Sequence, residues 1–426
     1  MNYPKRVEWS KLDNASKFFP ATSNYRDPKV FRISCELVDE VKPEVLQLAL
    51  DKTIERFPLY KSVLRRGVFW YYFETSDIRP MVEKETNPVC APIYRKYEKK
   101  LLFRVFYYKK RINIEVFHAL SDGTGALWFM KTLVYYYLLI RHKDELADKV
   151  PELNYDASLS EKMDDSFSRR YPGWDLKRQM ETLFKSKNTA KAYHIRGTRT
   201  DEYRVNVIEG AMSVKAALEE AHKYNTTLTV FFSSLLVCSI YEDMPARKKG
   251  YPVVLSVPIN LRQFFKSETA RNFFSTMNIS YRLEEGRLEL KEVIKSLGES
   301  FRRELTEERL NQHLDGLMFI ERNPLARVVP LPLKNYSIRI ANTIMDMGVT
   351  AAISNVGQVT MPLEFSGFIH QFSVIPNVKR PQMTMCTYGD RLVVTFASPF
   401  RETEIQKAFF KALSKMGIEV EISSNI

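Results

Sequence analysis

The residues of this chain whose types and spacing best suit chemistry are His118, Asp122 and Gly123, within the stretch FHALSDG. Histidine titrates near neutral pH, so His118 can take a proton from a substrate and later return it. An aspartate four residues later can hold the backbone of the turn in place. The spacing therefore predicts a general base beside a turn-fixing acid. It is equally compatible with a core histidine whose hydrogen bonds are satisfied and with an aspartate that only caps a helix.

The elements on either side of the motif would place this histidine at a corner. Residues 112–116 alternate between apolar and polar side chains, which predicts a strand. Residues 126–140 are apolar with two interruptions, which predicts a buried helix. His118 then lies where a strand ends, and Asp122 and Gly123 lie where the next helix begins.

Other motifs that carry chemistry are missing from the sequence. There is no GxGxxG after a strand, no GxxxxGK[ST], no HExxH and no GxSxG. Nucleotide hydrolysis, hydride transfer, metal catalysis and a serine triad are therefore not predicted. The segment His313–Gly316 has one residue between its histidine and aspartate and is interpreted as a helix end. A His–Asp pair without a protein nucleophile suits direct transfer, in which a deprotonated hydroxyl or amine attacks an activated acyl carbonyl.

Composition indicates a globular protein without a spanning segment. The 426 residues are 45% apolar and 27% charged, which allows two or three domains with large cores. The N-terminus lacks the apolar region of a signal peptide, and the longest apolar runs are too short or too polar to cross a bilayer. The four cysteines are widely separated and form no CxxC pair. Neither a disulfide framework nor a metal site is expected, and the expected location is the cytoplasm.

The net charge of +13 is the unusual bulk property of the chain. It could attract nucleic acid, an anionic membrane surface or a phosphorylated cofactor. The basic residues are scattered in short clusters without the signature of a nucleic-acid-binding domain, so we interpret them as solvated surface and expect no nucleic-acid partner.

The order of predicted elements divides the chain into two mixed α/β halves. The predicted N-terminal half is 1–172, the linker 173–192 and the C-terminal half 193–426. Two such halves leave a cleft between them, where a ligand site is expected. The elements predicted with clear bounds are a helix from Pro43 to before Pro58, a strand over 193–207, a helix over 287–311 and a hairpin turning at Gly389-Asp390.

The stretch His118–Gly123 resembles the HxxxDG motif of the acyltransferase superfamily that includes chloramphenicol acetyltransferase, plant BAHD enzymes, condensation domains and alcohol acetyltransferases. Three further stretches resemble segments of this superfamily and occur in the expected order. Trp9–Pro20 resembles its anchored start, Pro258–Arg262 its PxNLR segment and Ser354–Gly357 its SNxG strand. Phe117 replaces the first histidine of the HHxxxDG form of condensation domains, and the DFGWG segment of BAHD enzymes does not occur. The sequence therefore most resembles bacterial alcohol acetyltransferase-like proteins.

This resemblance implies an α/β (α+β) fold of two similar chloramphenicol acetyltransferase-like subdomains, which form a V with a tunnel at their interface. His118 would be the general base near the middle of the tunnel. Asp122 would pair with Arg262 and hold the shape of the corner. Gly123 would allow close backbone approach, and its N–H would help to stabilise an oxyanion. Arg262 could equally be a surface arginine at a strand end.

In the second half, the resemblance assigns Ser354 and Asn355 to the tunnel, although Asn355 could equally be a turn residue at a strand end. The implied reaction transfers an acyl group, expected to be acetyl, from coenzyme A to a hydroxyl or amine of a small molecule. Acyl-CoA would be a co-substrate, with no tightly bound cofactor and no metal, and the protein would be a monomer. The alternatives are a condensation-type enzyme that depends on an acyl carrier protein and a non-catalytic, condensation-like binding protein.

Overall fold

The computed structural model describes residues 9–13, 15–146, 191–265, 267–284, 288–311, 328–376 and 379–426. The helices of these ranges are α1 (Phe18–Thr22), α2 (Pro43–Arg56), α3 (Gly123–Arg141), α4 (Val214–Lys223), α5 (Leu228–Asp243), α6 (Leu290–Glu304), α7 (Leu331–Met347) and α8 (Glu404–Lys415). The strands are β1 (Trp9–Lys11), β2 (Val30–Leu37), β3 (Ser62–Arg66), β4 (Tyr71–Thr75), β5 (Val82–Lys84), β6 (Phe103–Tyr108), β7 (Arg111–Phe117), β8 (Asn206–Ser213), β9 (Val253–Asn260), β10 (Phe274–Tyr281), β11 (Ala351–Val359), β12 (Ile369–Pro376), β13 (Gln382–Tyr388), β14 (Arg391–Ser398) and β15 (Glu421–Ser424).

The described strands form three sheets. One has five strands in the order β12-β2-β7-β6-β5, one has seven in the order β10-β9-β11-β13-β14-β8-β15, and a small one has the order β1-β4-β3. Strand β12 comes from the C-terminal half of the sequence but pairs antiparallel with β2, with Val374 opposite Ile33. One strand of the C-terminal half of the sequence therefore completes the sheet of the N-terminal half. The domain bounds 1–172, 173–192 and 193–426 stay a prediction, because 147–190 lie outside the described residues.

Strand β7 is a central strand, paired with β2 on one side and β6 on the other. Both of its faces are covered, so its polar residues are buried as well as its apolar ones. Glu115 is fully buried, and its carboxylate accepts hydrogen bonds from Arg32 at 2.7 Å and from the Nε of Arg104 at 2.7 Å. Such pairing is what allows a charge on the inner face of a sheet.

Each large sheet has its own hydrophobic core. The first contains buried side chains of β2, β7, α2 and α3, and the second those of α5, β9, β13 and α8. Arg111 on β7 and Glu209 on β8 join the two sheets with an ion pair of 2.9 Å. Among the described helices, no single one is long and apolar enough to cross a membrane, and the pair α4 and α5, which passes that test jointly, is bent by 79°.

Several predicted elements are confirmed. The helix at Pro43 ends at Arg56, before Pro58, and the hairpin β13–β14 turns at Gly389-Asp390, where Gly389 has a φ of +56°. The helix predicted over 287–311 is shorter, at Leu290–Glu304. The segment His313–Gly316 and most of the predicted linker lie outside the described residues.

The strand predicted over 193–207 is wrong. The regular strand in this region is β8, from Asn206 to Ser213, because that stretch forms the ladder with β14. The residues before it use their backbone groups elsewhere: the N–H of Tyr193 donates to the carbonyl of Pro252, and that of Thr200 to the carbonyl of Pro399. Alternation alone could not distinguish these two kinds of extended chain.

Candidate active site

His118 lies directly after β7, in the turn that leads to α3. Its backbone N–H donates to the carbonyl of Lys29 at 2.7 Å, and the N–H of Leu120 donates to the carbonyl of Phe117 at 2.8 Å. These two bonds fix the corner that the sequence pattern predicts. The residue as a whole is half-buried.

Three phenyl rings surround the imidazole. Phe19 of α1 stacks on it with ring centroids 4.3 Å apart and an interplanar angle of 15°, whereas Phe31 and Phe274 lie at 5.0 and 5.5 Å. Phe274 belongs to β10, so both halves of the sequence contribute to this surrounding. Aromatic walls on several sides leave the ring few orientations.

The surroundings also set the charge of His118. Burial lowers the pKa of His118 below its ordinary value, and the charge of Lys29 acts in the same direction. The carboxylate of Asp122 and the hydrogen bonds to Asn272 and to the backbone oppose this shift. The net effect is a lowered pKa, so the imidazole is neutral at pH 7, which is the form that a general base requires.

Asn272 contacts the Nδ1 atom of the His118 ring. Its Oδ1 lies 3.2 Å from His118 Nδ1, and its Nδ2 donates to the carbonyl of His118 at 2.9 Å and to Ser16 Oγ at 2.9 Å. Ser16 Oγ in turn donates to Asp13 at 2.6 Å. An amide oxygen only accepts, so Nδ1 must carry the proton and Nε2 keeps its lone pair. This chain of bonds defines the basic nitrogen.

If His118 acts as a general base, replacing Asn272 with leucine is expected to lower kcat by about tenfold with little change in KM, because the tautomer is no longer fixed and one hydrogen bond is worth about 1 kcal/mol. Asn272→Asp retains the acceptor but adds a charge that raises the pKa of His118. The acid limb of the kcat/KM profile should therefore move to higher pH in this variant. A loss of folded protein with an unchanged pH profile in the active fraction would contradict a positioning role.

The carboxylate of Asp122 is fully engaged by the protein. It caps α3 by accepting from the N–H of Gly125 at 2.9 Å through Oδ1. Its Oδ2 accepts from Arg262 Nη1 at 2.7 Å and from the N–H of Phe273 at 2.9 Å. The structure thus brings together the pair that the resemblance implies, and this pair joins the start of α3 to the segment before β10.

Arg262 extends this junction. Its Nη2 donates to the carbonyl of Thr269 at 2.8 Å and to that of Arg271 at 2.6 Å, and its guanidinium lies 5.4 Å from the ring of Trp128. The side chains of Arg262 and Asp122 are 6% and 5% exposed, so this is not a surface arginine. Asn272 follows directly after Arg271, whose carbonyl Arg262 holds. The ion pair of Arg262 and Asp122 therefore positions the residue that orients His118.

The glycines of the motif differ in what they permit. A Cβ at Gly123 would meet no atom within 4 Å, whereas a Cβ at Gly125 would lie 2.1 Å from the carbonyl oxygen of Ala270 and 2.4 Å from Ser121 Oγ. The close backbone contact within the protein is therefore at Gly125, whereas the expected role of Gly123 stays a prediction. The space beside Gly123 is open.

Gly125→Ala is expected to lower the free energy of unfolding by about 2–3 kcal/mol, because α3 and the segment at Ala270 must separate. The matched variant Gly123→Ala should change it by less than about 1 kcal/mol, since the new methyl group meets nothing and alanine is a good helix former. Urea unfolding of both variants measures the difference. Equal destabilisation would contradict the packing described here.

A cleft of about 1580 Å³ is lined by residues of the C-terminal half of the sequence. It is bordered by the start of α5, the end of β9, one face of α6 and the bulge of β11. Asn260 lines the cleft, and its Nδ2 donates to Thr124 Oγ1 at 3.2 Å, one residue beyond Gly123. One lining residue of the cleft is therefore hydrogen-bonded to the first turn of α3, whereas His118, Asp122 and Gly123 are not among the lining residues.

The two residues assigned to the second half lie on β11. Asn355 lines the cleft, where its Nδ2 donates to Thr229 Oγ1 at 2.9 Å and its Oδ1 accepts from the N–H of Gly357. Gly357 has a φ of +82° and marks a bulge in β11. Ser354 belongs to the same strand, opposite Thr384, and is not among the residues that line the cleft. Asn355 thus fixes a strand irregularity and also faces the cleft.

Sequence reasoning missed Asn272, Phe19 and Gly125. Phe19 lies in the stretch Trp9–Pro20, which the resemblance marked without assigning a role. Asn272 gives one weak signal, a polar residue directly before the apolar pair Phe273-Phe274; it is buried, at 1% exposure. Over the part of the chain that the structure describes, no group of three or more His, Cys, Asp or Glu side chains is placed to hold a metal ion.

No family model matches the chain, and no curated protein matches its sequence. Solved structures match it over nearly its whole length. TRI3 trichothecene 15-O-acetyltransferase from Fusarium sporotrichioides has a TM-score of 0.66 at 9% identity, covering 98% of this chain and 96% of that one. TRI101 from F. graminearum, complexed with coenzyme A and T-2 mycotoxin, has a TM-score of 0.64 at 11% identity, covering 97% and 99%.

The first condensation domain of the CDA synthetase matches with a TM-score of 0.62 at 12% identity, covering 97% of both chains. Acetyltransferases and condensation domains therefore share the fold of this chain, which consists of two chloramphenicol acetyltransferase-like lobes. The fold prediction made from the motif order is confirmed.

Proposed function

We propose that this protein, which has the fold of acetyltransferases and condensation domains, is an acyltransferase with His118 as its general base. The observation that carries the proposal is the contact of 3.2 Å between His118 Nδ1 and Asn272 Oδ1, because it leaves Nε2 unprotonated. The lowered pKa of His118 supports the same role. Asp122 and Arg262 act as positioning residues.

In the proposed reaction, Nε2 of His118 takes the proton of a hydroxyl or amine while that group attacks the thioester carbonyl. A C–O or C–N bond forms, the C–S bond breaks, and the imidazolium returns the proton to the departing thiolate. The charge that develops on the carbonyl oxygen needs a donor. The N–H of Gly123, in the first turn of α3, is our candidate, because first-turn N–H groups have no partner within the helix and the space beside Gly123 is open.

The cleft supports acyl-CoA as the donor. Lys291, Lys295 and Arg302 follow one face of α6 along the cleft, and the N-terminus of α5 at Thr227 borders it as well. Coenzyme A carries several phosphates, which cations and helix N-termini attract. We propose that these groups hold the nucleotide end of the donor and that the acyl group extends toward the start of α3.

The variant Lys291→Glu with Lys295→Glu is expected to raise the KM for acetyl-CoA by about tenfold, because two positive charges of the cleft become negative. The kcat at saturating donor should change little. The control is Lys407→Glu with Lys411→Glu on the exposed face of α8, which makes the same change in net charge outside the cleft. An equal effect in the control would attribute the change to overall charge and contradict a donor site in the cleft.

The experiment that tests the function is thiol release from acetyl-CoA and longer acyl-CoAs in the presence of mixed alcohols and amines. Release that requires an acceptor and His118 supports the transferase. Condensation domains share the fold, so a donor carried on an acyl carrier protein is the alternative, and the same assay with a loaded carrier domain separates the two. Binding of acylated ligands without turnover on any donor would instead favour a non-catalytic binding protein.

A further inference from the structure

Helix α7 carries an apolar face that points to solvent. Five large apolar side chains recur at steps of three or four residues and therefore share one side of the helix. They are Leu333, Tyr336, Ile340, Ile344 and Met347, with exposed fractions of 59, 65, 46, 55 and 47%. The buried residues of this helix, Leu331 and Asn335, lie on the opposite side. A surface helix ordinarily has the reverse arrangement, and an exposed apolar patch of this kind marks a binding surface.

The tip of the β3–β4 hairpin continues this face. Val68, Phe69 and Trp70 are 70, 38 and 48% exposed. The N–H of Leu331 donates to the carbonyl of Val68 at 2.9 Å, and Lys334 Nζ donates to that of Phe69 at 3.0 Å. The ammonium of Lys334 also lies 4.4 Å from the ring of Trp70. The hairpin tip and the first turn of α7 thus form one surface rich in aromatic side chains.

Positive charges flank this surface. Lys334 and Arg339 belong to α7 itself, the charge of Lys17 acts on Lys334, and that of Arg66 acts on Tyr71, which accepts a hydrogen bond from Asn335 of α7. Burial and the charge of Lys17 lower the pKa of Lys334. Asp346 is the one acidic residue of the described stretch 328–350, and it is paired with Lys379 at 2.7 Å. The surface is therefore apolar at its centre and positive at its edge. Such a surface complements a large, negatively charged partner surface.

We propose that α7 and the hairpin tip 68–70 dock the protein on an anionic bilayer, as an interfacial contact that does not span it. The apolar side chains enter the headgroup region, and the flanking cations contact lipid phosphates. Trp70 and Tyr336 are of the types that prefer this boundary. An acidic protein would match the charges too, but a helix of about 25 Å with apolar side chains along its whole outer side fits a flat surface better than a compact partner.

The docking surface is connected to the candidate active site through α1. Arg339 Nε of α7 donates to the carbonyl of Ala21 in α1 at 2.7 Å, and Phe19 of α1 stacks on His118. Docking would therefore bring the N-terminal segment that contacts His118 close to the bilayer. The proposal itself concerns binding only and does not depend on the reaction.

The test is cosedimentation of the full chain with vesicles of phosphatidylcholine, alone or with phosphatidylglycerol as about one third of the lipid. The chain should bind the anionic vesicles at about 0.1 M salt, less at about 0.5 M, and weakly or not at all to phosphatidylcholine alone. Absence of binding to the anionic vesicles at the lower salt would overturn the proposal.

Variants distinguish binding through this surface from binding that depends only on the net charge of the protein. Ile340→Ser with Ile344→Ser should lower the partition coefficient by about tenfold or more, since two partly inserted side chains lose their apolar area. Lys334→Gln should lower it by about fivefold on anionic vesicles only. The control is Leu363→Ser, because Leu363 is 82% exposed but lies elsewhere, and it should bind like the parent chain. Equal binding of all variants, or a dimer that the isoleucine variant dissociates, would overturn the proposal.

Discussion

Replacing His118 with alanine is expected to lower kcat by about a hundredfold or more, because a positioned general base contributes about two to four powers of ten to a rate. The chain should remain folded, since His118 is half-buried and its backbone hydrogen bond to Lys29 does not involve the side chain. Thiol release from acyl-CoA in the presence of acceptor measures the effect, and circular dichroism checks the fold.

The pH dependence gives a second readout for the same residue. In the proposed mechanism the neutral imidazole is the active form, and burial lowers the pKa of His118 below its ordinary value of 6.5. The neutral form therefore persists as the pH falls, and the acid limb of the kcat/KM profile should have its midpoint below pH 6.5. His370→Ala, which removes an exposed histidine on β12, is the matched control and should leave both rate and profile unchanged. Full activity of His118→Ala would exclude it as the base.

Replacing Arg262 with methionine is expected to lower the free energy of unfolding by about 3–5 kcal/mol, the usual cost of leaving one charge of a buried pair without its partner. Asp122 is 4% exposed, so water cannot replace the guanidinium. The carbonyls of Thr269 and Arg271 lose donors at the same time. Urea unfolding followed by fluorescence measures the difference.

The control for this prediction is an ion pair on the surface. Arg401 and Asp201 are 2.7 Å apart, but their side chains are 55% and 82% exposed, so Arg401→Met should cost about 1 kcal/mol or less. A double variant, Arg262→Met with Asp122→Asn, should recover part of the loss because the buried charge is gone. Equal costs for Arg262→Met and Arg401→Met would show that the buried pair does not hold the site together.

The corner that carries His118 could be predicted from the sequence because its determinants are local. The alternation before His118 and the apolar run after Gly123 are properties of neighbouring residues, and both elements are confirmed. The cap of α3 is local as well, since Asp122 accepts from a residue three positions away. Short-range spacing is what sequence patterns record.

The rest of the candidate site is brought together over long separations. Asn272 and Arg262 lie 154 and 140 residues from the motif residues that they contact. The resemblance supplied Arg262 as a partner for Asp122, whereas no pattern pointed to Asn272. The requirement for glycine at 125 arises from the backbone of Ala270, which the sequence around the motif does not reveal.

The sequence by itself predicted two mixed α/β halves, the corner and a histidine of a type able to act as a base, because hydrophobic period, helix capping and side-chain chemistry depend on neighbours along the chain. The specific fold followed from the resemblance of four ordered stretches to a known superfamily. Only the tertiary structure decided the tautomer of His118, the glycine that permits close packing and the side of α7 that faces solvent. Each of these depends on which distant segment packs against the residue, and packing energy is determined by contacts across the fold.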